Sequence, residues 1–187
     1  MLNWWLVAVL AALVLAGFFG LDNFLLVHIR QVRKALPCFV ENIFGFFSFT
    51  PFVVFVLFGV PFIYLLLEKD SYSALCIFMI CMLSTGLAFV GKYLFKRVRP
   101  FGHQTYLGKI DSAFPSAHTA GSFAAAFVLT IIWPWLTWPV FVFAGLVAFS
   151  RMYLELHFLS DVAGGILLAH LMTALVVDSD LPLLFGF

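Results

Sequence analysis

The feature that most constrains this chain is a series of six long apolar stretches joined by short polar connections. A transmembrane helix needs about 20 apolar residues in a row, whereas a membrane β-strand needs only about ten. Hydrophobic residues make up 64% of the 187 positions and charged residues only 10%, so these stretches indicate helical spans. We predict an all-α fold: one domain over residues 1–187, built as a six-transmembrane-helix bundle with spans at approximately 4–20, 51–67, 73–95, 116–133, 139–153 and 157–177. The first stretch could pass for a signal peptide, but no basic residue precedes it, which favours a retained span.

Residues 22–36 differ from the spans, because apolar and polar side chains separate onto two sides of a helix. Arg30, Gln31 and Lys34 fall on the polar side, Asp22 can cap the helix, and Pro37 ends it. The pattern is typical of an amphipathic helix lying in the membrane interface between spans 1 and 2. It fits a simple connector as well as direct contact with lipid headgroups. The next segment, 40–49, is predicted to return the chain to the membrane.

Charge and cysteine content exclude some classes of protein. The net charge of +1 gives no basic surface for nucleic acid, so no nucleic-acid partner is expected. The three cysteines, Cys38, Cys76 and Cys81, have no metal-ligand spacing. The partners that the sequence does predict are the bilayer itself and a ligand at its surface, whereas the oligomeric state cannot be predicted.

The tryptophans and the polar clusters fall at opposite ends of the six predicted spans. All five tryptophans lie at one membrane face, as in an interfacial aromatic belt (Trp4, Trp5, Trp133, Trp135 and Trp138). Three polar clusters, at 92–100, 115–118 and 150–161, then lie at the other face. Polar residues are costly to place in membrane spans, so their convergence indicates a functional site.

The first cluster is basic. Lys92 and Arg99 are seven residues apart, about two helical turns, so they share a side if the helix persists, whereas Lys96 and Arg97 point elsewhere. Pro100 is predicted to end the helix. Taken alone, a basic helix end is most often an anchor that reaches the interface.

The second cluster begins a span. Pro115 suits the first turn of a helix, and the backbone N–H groups of Ser116, Ala117 and His118 then have no partner within the helix. Such helix starts bind anions, phosphate above all. An ordinary capped helix start is the alternative.

The third cluster comprises Ser150, Arg151, His157 and Asp161. His157 and Asp161 are four residues apart, so on one helix Asp161 can accept a hydrogen bond from the imidazole. That bond would leave the other ring nitrogen free as a nucleophile or base. A buried, satisfied His–Asp pair is the alternative.

Considered together, the three clusters place three cations and two histidines at one face of the membrane. This combination predicts a site for phosphoryl transfer.

These residues resemble the three-part signature of the type 2 phosphatidic acid phosphatase superfamily. The matching parts are Lys92-x6-Arg99-Pro100, Pro115-Ser116-Ala117-His118 and Ser150-Arg151-x5-His157-x3-Asp161, in order and at suitable spacings. The resemblance covers roughly residues 73–177, and the six-span plan is similar to that of the integral-membrane branch. Ala117 departs from the pattern, since glycine is usual there.

The resemblance implies a role for each residue. His157 attacks phosphorus and carries a phosphohistidine, Asp161 orients it, and His118 protonates the leaving oxygen and then activates water. The phosphate is held by Lys92, Arg99, Ser116, Ala117, Ser150 and Arg151. No metal and no cofactor is expected. The implied activity is hydrolysis of a lipid phosphate monoester or pyrophosphate, with undecaprenyl pyrophosphate, phosphatidylglycerol phosphate, phosphatidic acid and lipid A 1-phosphate as candidates.

Three other functions use the same residues or fewer of them. A lipid phosphotransferase would need the same site, and a vanadate haloperoxidase shares the pocket but not the spans. A non-enzymatic lipid-phosphate binding or transport protein would not need both histidines, and a membrane scaffold would leave the clustered charges unexplained. The loop 102–110, with His103, Gln104, Tyr106 and Lys109, either selects the headgroup or is simply solvated.

The basic residues conflict with the family over the side of the membrane. Lys69 alone lies away from the site side, which by the positive-inside rule would place the site in the cytoplasm. The integral-membrane members of the family that the sequence resembles generally place this site outside the cytoplasm or in the lumen. Our prediction follows the family: an inner or plasma membrane protein with an extracytoplasmic active site.

Overall fold

The computed structural model describes residues 2–101 and 112–178, and these residues form helices joined by short connections, with no strand among them. This confirms the predicted all-α fold. The helices are α1 Trp4–Ala16, α2 Asp22–Ala35, α3 Cys38–Phe47, α4 Thr50–Val54, α5 Val60–Leu67, α6 Ser71–Phe95, α7 Ala117–Ile132, α8 Thr137–Tyr153 and α9 Leu159–Asp178. π-Helical turns at Gly17–Leu21 and Phe55–Gly59 join α1 to α2 and α4 to α5, and a 3₁₀ turn at Pro134–Leu136 precedes α8.

Five helical stretches are long and apolar enough to cross a membrane. They are Trp4–Ala35, Thr50–Leu67, Ser71–Phe95, Pro134–Tyr153 and Leu159–Asp178. The other predicted span, α7, has 16 residues and is about 24 Å long, less than the roughly 30 Å hydrocarbon core. Its start lies inside the protein, since Ser116, the residue before it, is fully buried.

Small side chains allow α7 to occupy the centre of the bundle. Ala120, Ala124 and Ala126 on α7 and Ala169 on α9 are all 0% exposed. Small residues let helix backbones approach closely, and this close packing is a main source of helix association in membranes. The packing fixes the start of α7 against the start of α9, where two of the polar clusters lie.

The first span and the amphipathic helix form one kinked rod. The helical run Trp4–Ala35 bends at the π-turn, where Gly20 has φ 121°. A side chain would be strained in that conformation, so glycine permits the bend. The predicted amphipathic helix is confirmed as α2, and α3 follows it where a return to the membrane was expected.

Contacts at the face away from the polar clusters agree with the predicted topology. The backbone N–H of Asn3 donates to Nε2 of His170, well along α9. The rings of Tyr64, near the end of α5, and Trp133, just after α7, lie 5.6 Å apart. The ends of spans 2 and 4 and the start of span 1 thus lie far along the bundle from His157, at the face that carries the tryptophans.

Candidate active site

Hydrogen bonds join the three polar segments into one site. The backbone N–H of Ala113 donates to the carbonyl of Arg97 at 2.8 Å, and that of Ser116 donates to the carbonyl of Asp161 at 3.0 Å. The backbone N–H of Arg97 donates to Oγ of Ser112 at 2.9 Å. The segment before α7 is therefore bonded on one side to the end of the first cluster and on the other to the start of α9.

His157 lies in the loop between α8 and α9, and the backbone fixes its ring. Its Nδ1 is 2.8 Å from the carbonyl oxygen of Ala113, and its side chain is only 1% exposed. A carbonyl can only accept a hydrogen bond, so Nδ1 carries the hydrogen. In the neutral ring the lone pair is then on Nε2, the nitrogen that could attack an electrophile.

Asp161 does not make the hydrogen bond that the four-residue spacing predicts. Its Oδ2 lies 3.7 Å from Nδ1 of His157, beyond hydrogen-bonding distance. Two observations explain this: α9 begins only at Leu159, so the two residues do not share a helix, and Oδ2 instead accepts the backbone N–H of Phe158 at 2.7 Å. Asp161 is therefore an electrostatic neighbour of His157.

Arg97 was predicted to point away from the site, and this prediction was wrong. Its guanidinium donates to Oδ1 of Asp161 at 2.7 Å and to Oδ2 of Asp22 at 2.6 Å, and it also bonds Ser160. Helix α6 ends at Phe95, and Lys96 has a left-handed conformation with φ 45°, which turns Arg97 inward. The signal in the sequence was two carboxylates in apolar surroundings, which require a cation.

Lys92, Arg99 and Arg151 are electrostatic neighbours of both histidines. The sequence predicted that helical periodicity brings Lys92 and Arg99 to one side, but the chain from Lys96 onward is not helical. Pro100, predicted to end the helix, lies beyond its observed end at Phe95. Burial, reinforced by the charges of Arg151, Arg99 and Lys92, lowers the pKa of His157 well below its ordinary value. The ring is therefore held neutral, as a nucleophile requires.

Ser150 and Arg151 are adjacent in the last turn of α8 but have different surroundings. Arg151 is 7% exposed, and its Nη1 bonds the hydroxyl and the carbonyl of Ser48. Ser150 is fully buried, and its hydroxyl donates to the carbonyl of Val147 at 2.7 Å. A serine has one hydrogen to donate, and here that hydrogen is directed to Val147. The predicted contact of Ser150 with a phosphate stays a prediction.

The start of α7 brings His118 and Ser116 to the site. Pro115 lies before the first turn, and Ser116 is the N-cap, its Oγ accepting from the hydroxyl of Thr119 at 3.0 Å. This leaves the Ser116 hydroxyl hydrogen available to an anion. His118 follows in the first turn, and its Nε2 lies 2.5 Å from Oγ1 of Thr50 at the start of α4. Nothing in the sequence pointed to Thr50, which contacts the site from a different span.

An apolar cavity of about 190 Å³ opens beside His118. It runs between α4, α6 and α7, and its walls include Leu57, Phe58 and Met82. Thr50 and His118 line it as well, so the polar site continues directly into an apolar space within the membrane spans.

The arrangement can bind a tetrahedral anion beside a neutral imidazole. Within residues 2–101 and 112–178, no three His, Cys, Asp or Glu side chains group as a metal site. The predicted headgroup loop 102–110 lies outside the described residues, and its role stays a prediction.

Comparison with known proteins gives one family and two similar structures. The model of the PAP2 superfamily matches residues 73–180. The first transmembrane PAP2 type phosphatidylglycerolphosphate phosphatase from Bacillus subtilis has the same fold, with a TM-score of 0.68 and 22% identity over 94% of each chain. Aquifex aeolicus LpxE has a TM-score of 0.66 and 22% identity over 82% of this chain and 94% of its own. No curated protein sequence gives a significant match.

The family match covers more than half of the chain and contains all three polar clusters. The two similar structures extend the likeness of fold to the amino-terminal helices, which precede the matched residues. With its apolar spans, the chain is therefore an integral membrane protein that belongs to the PAP2 superfamily.

Proposed function

We propose that this protein is a metal-independent phosphatase that hydrolyses a lipid phosphate monoester or pyrophosphate through a phosphohistidine. The observation that carries the proposal is the state of His157. Its Nδ1 is bonded to the Ala113 carbonyl, so its lone pair is on Nε2, and the charges of three cations act on the ring. A neutral nucleophile among cations is suited to attack on an anionic phosphate.

The reaction has two balanced steps. In the first, Nε2 of His157 forms a bond to phosphorus while the bond to the leaving oxygen breaks, and protonated His118 gives that oxygen its proton. In the second, His118 takes a proton from water, the water oxygen bonds to phosphorus, and the P–N bond returns its electrons to Nε2. The carboxylate of Asp161, 3.7 Å away, stabilises the positive ring of the intermediate.

The phosphate oxygens are held by cations and by the start of α7. Lys92, Arg99 and Arg151 supply charge, and the Ser116 hydroxyl and the Ala117 N–H supply hydrogen bonds. These donors stabilise the charge that spreads over the equatorial oxygens in the transition state.

The apolar cavity beside His118 supports a lipid substrate. A lipid tail can lie between α4, α6 and α7 while its phosphate reaches His157. The similar Bacillus subtilis protein is a phosphatidylglycerolphosphate phosphatase, so we propose to test phosphatidylglycerol phosphate first. Undecaprenyl pyrophosphate, phosphatidic acid and lipid A 1-phosphate complete the panel.

The test is phosphate release by the purified protein in detergent across these four lipids. We expect release from at least one of them, inhibition by vanadate, which mimics pentavalent phosphorus, and no effect of a metal chelator. Loss of activity to chelator would overturn the metal-independent mechanism. Radiolabelled product analysis separates hydrolysis from transfer to a second lipid, since only transfer yields a new labelled lipid.

We propose further that the site faces away from the cytoplasm in the inner or plasma membrane. Exposed Cys38 is first replaced by serine, leaving only the buried Cys76 and Cys81. Gln104→Cys, in the loop that the sequence predicts on the site side, and Glu68→Cys, in the turn predicted on the other side, are then treated in intact cells with a membrane-impermeant maleimide. Labelling of the first variant alone is expected, and labelling of the second alone would reverse the orientation.

A further inference from the structure

The kink between α1 and α2 brings an acidic residue of the amino-terminal region into the start of α9. Asp22 follows the π-turn and is only 3% exposed. The approach is close, because a Cβ added at Gly17 would lie 2.5 Å from Cβ of Ser160. Glycine at this position thus permits the contact between the two helices.

The sequence position of Asp22 predicts that it caps its own helix. It does not, because the helical run continues through it. Its carboxylate lies instead at the start of α9, where Oδ1 accepts the backbone N–H of Ser160 at 3.0 Å and Oδ2 accepts its hydroxyl at 2.5 Å. Asp22 thus serves as an N-terminal cap for a helix more than 130 residues away along the chain.

Oδ2 of Asp22 also holds Arg97, and Arg97 holds Asp161. The two Arg97–carboxylate distances are 2.6 and 2.7 Å. The guanidinium lies 4.4 Å from the ring centroids of both Phe18 and Phe158, which restrict its movement. One cation therefore bridges two carboxylates, and without Asp22 it would lose one of the two carboxylates that fix its position.

Helix α2 makes a second contact at the other end of the loop that carries His157. Glu155 is 4% exposed and has φ 55°. Its carboxylate accepts from Nε of Arg30 at 2.9 Å and from Nη1 of Arg33 at 3.4 Å. The sequence left open whether α2 is a simple connector or contacts lipid headgroups. In the structure the basic side of α2 contacts the catalytic loop.

We propose that α2 is a clamp on the catalytic loop and that Asp22 is its main positioning residue, acting on His157 through Arg97 and Asp161. This rests on the proposed phosphatase function. Asp22, Arg30 and Arg33 lie outside the residues 73–180 that the family model matches. The clamp assigns the amino-terminal region a task in catalysis beyond anchoring the chain in the membrane.

The first test compares two aspartates that each cap a membrane helix, at opposite faces. Asp22→Ala and Asp22→Asn are expected to lower kcat by about 10²-fold, the loss typical of a reacting group displaced by about 1 Å, with KM unchanged. The asparagine variant keeps the shape of the side chain and is used if the alanine variant does not fold. Asp70 caps α6 through the backbone N–H of Ser73, so Asp70→Ala should lower the melting temperature and leave kcat unchanged.

The second test asks whether Asp22 acts through Arg97. Arg97→Gln should lower kcat at least as much as Asp22→Asn, and the double variant should lose little more than Arg97→Gln alone, because the two lie on one path. The proposal would be overturned if the fold-loss in kcat of the double variant equalled the product of the two single losses. It would also be overturned if Asp22→Asn had the kcat of the wild type.

A third measurement does not depend on activity. Amide hydrogen exchange at residues 155–162 should speed up in Asp22→Asn and in Glu155→Gln, and stay unchanged in Asp70→Ala. A wild-type protein that releases no phosphate from any lipid phosphate would refute the proposed function and leave this readout intact. Unchanged exchange in both clamp variants would refute the clamp whatever the activity.

Discussion

The two histidines of the site are held in different ways, and the difference matches the roles proposed for them. His157 is bonded to the backbone carbonyl of Ala113 and is almost fully buried. His118 is partly exposed beside an apolar cavity and is bonded to the Thr50 hydroxyl. A carbonyl accepts only and fixes one tautomer, whereas a hydroxyl can accept or donate. The ring of His157 is thus held in a single tautomer. The ring of His118 keeps its hydrogen bond to Thr50 whether or not the bonded nitrogen carries a proton.

The two kinds of hydrogen-bond partner fit a nucleophile at His157 and a general acid and base at His118. A nucleophile must present one lone pair in one direction, which the backbone can fix. A group that first gives a proton and then takes one must be stable in both states. The partner of His118 also comes from α4, so its orientation depends on the span that forms one wall of the cavity.

The largest effect is expected from His157→Ala. Loss of the nucleophile should reduce phosphate release by on the order of 10⁶-fold, as in other enzymes that use covalent catalysis. No acid-labile phosphate should be trapped on the protein after rapid quenching with labelled substrate. His170→Ala is the control, since it removes an imidazole from α9 far from the site. Trapped phosphate on the His157 variant would assign the nucleophile elsewhere.

A smaller and more selective loss is expected from His118→Ala. Hydrolysis of a lipid phosphate should fall by about 10²–10⁴-fold, the usual contribution of a general acid or base. With p-nitrophenyl phosphate, whose leaving group needs no proton, the phosphoenzyme should still form and then accumulate. If the rate of phosphoenzyme formation fell equally with the lipid phosphate and with p-nitrophenyl phosphate, His118 would not be the general acid.

Thr50→Val sharpens the comparison further. Removing a single hydrogen bond of about 1 kcal/mol should lower kcat by roughly fivefold to tenfold, and Thr50→Ser should restore it. Thr85 lines the same cavity, but its hydroxyl donates to the Cys81 carbonyl within α6, so Thr85→Val is the matched control. If both valine variants lose the same activity, the cavity wall matters and the bond to His118 does not.

Hydropathy predicted the helices well, because membrane spans need apolar length. The observed α6 is Ser71–Phe95 against a predicted 73–95, and Thr50–Leu67 compares with 51–67. The span 157–177 was placed two residues too early, since His157 belongs to a loop held by side chains from elsewhere. A hydropathy pattern contains no information about those contacts.

Within the site, local spacing failed where the backbone leaves the helix. Lys96 in a left-handed conformation turns Arg97 towards Asp161, and the kink at Gly20 delivers Asp22 to α9. Arg97 lies in the first cluster at a position that the motif leaves unspecified, and Asp22 lies outside all three clusters. The partners of both residues are distant in sequence. The residue types of the motif could be read from the sequence, but the groups that orient them depend on tertiary structure.

The last effect is expected on stability and not on rate, and it tests the neutral state of His157 directly. Its pKa is lowered in the folded protein, whereas the unfolded chain takes up a proton below an ordinary pKa of about 6.5. The folded state therefore loses stability as the pH falls below that value, by up to about 1.4 kcal/mol per pH unit for one proton. His157→Asn removes this titration, so its unfolding free energy in detergent should fall less between pH 6.5 and 5.5 than that of the wild type. Equal losses in the two proteins would mean that the buried ring takes up its proton in the folded state, and Nε2 could then not act as the nucleophile at acidic pH.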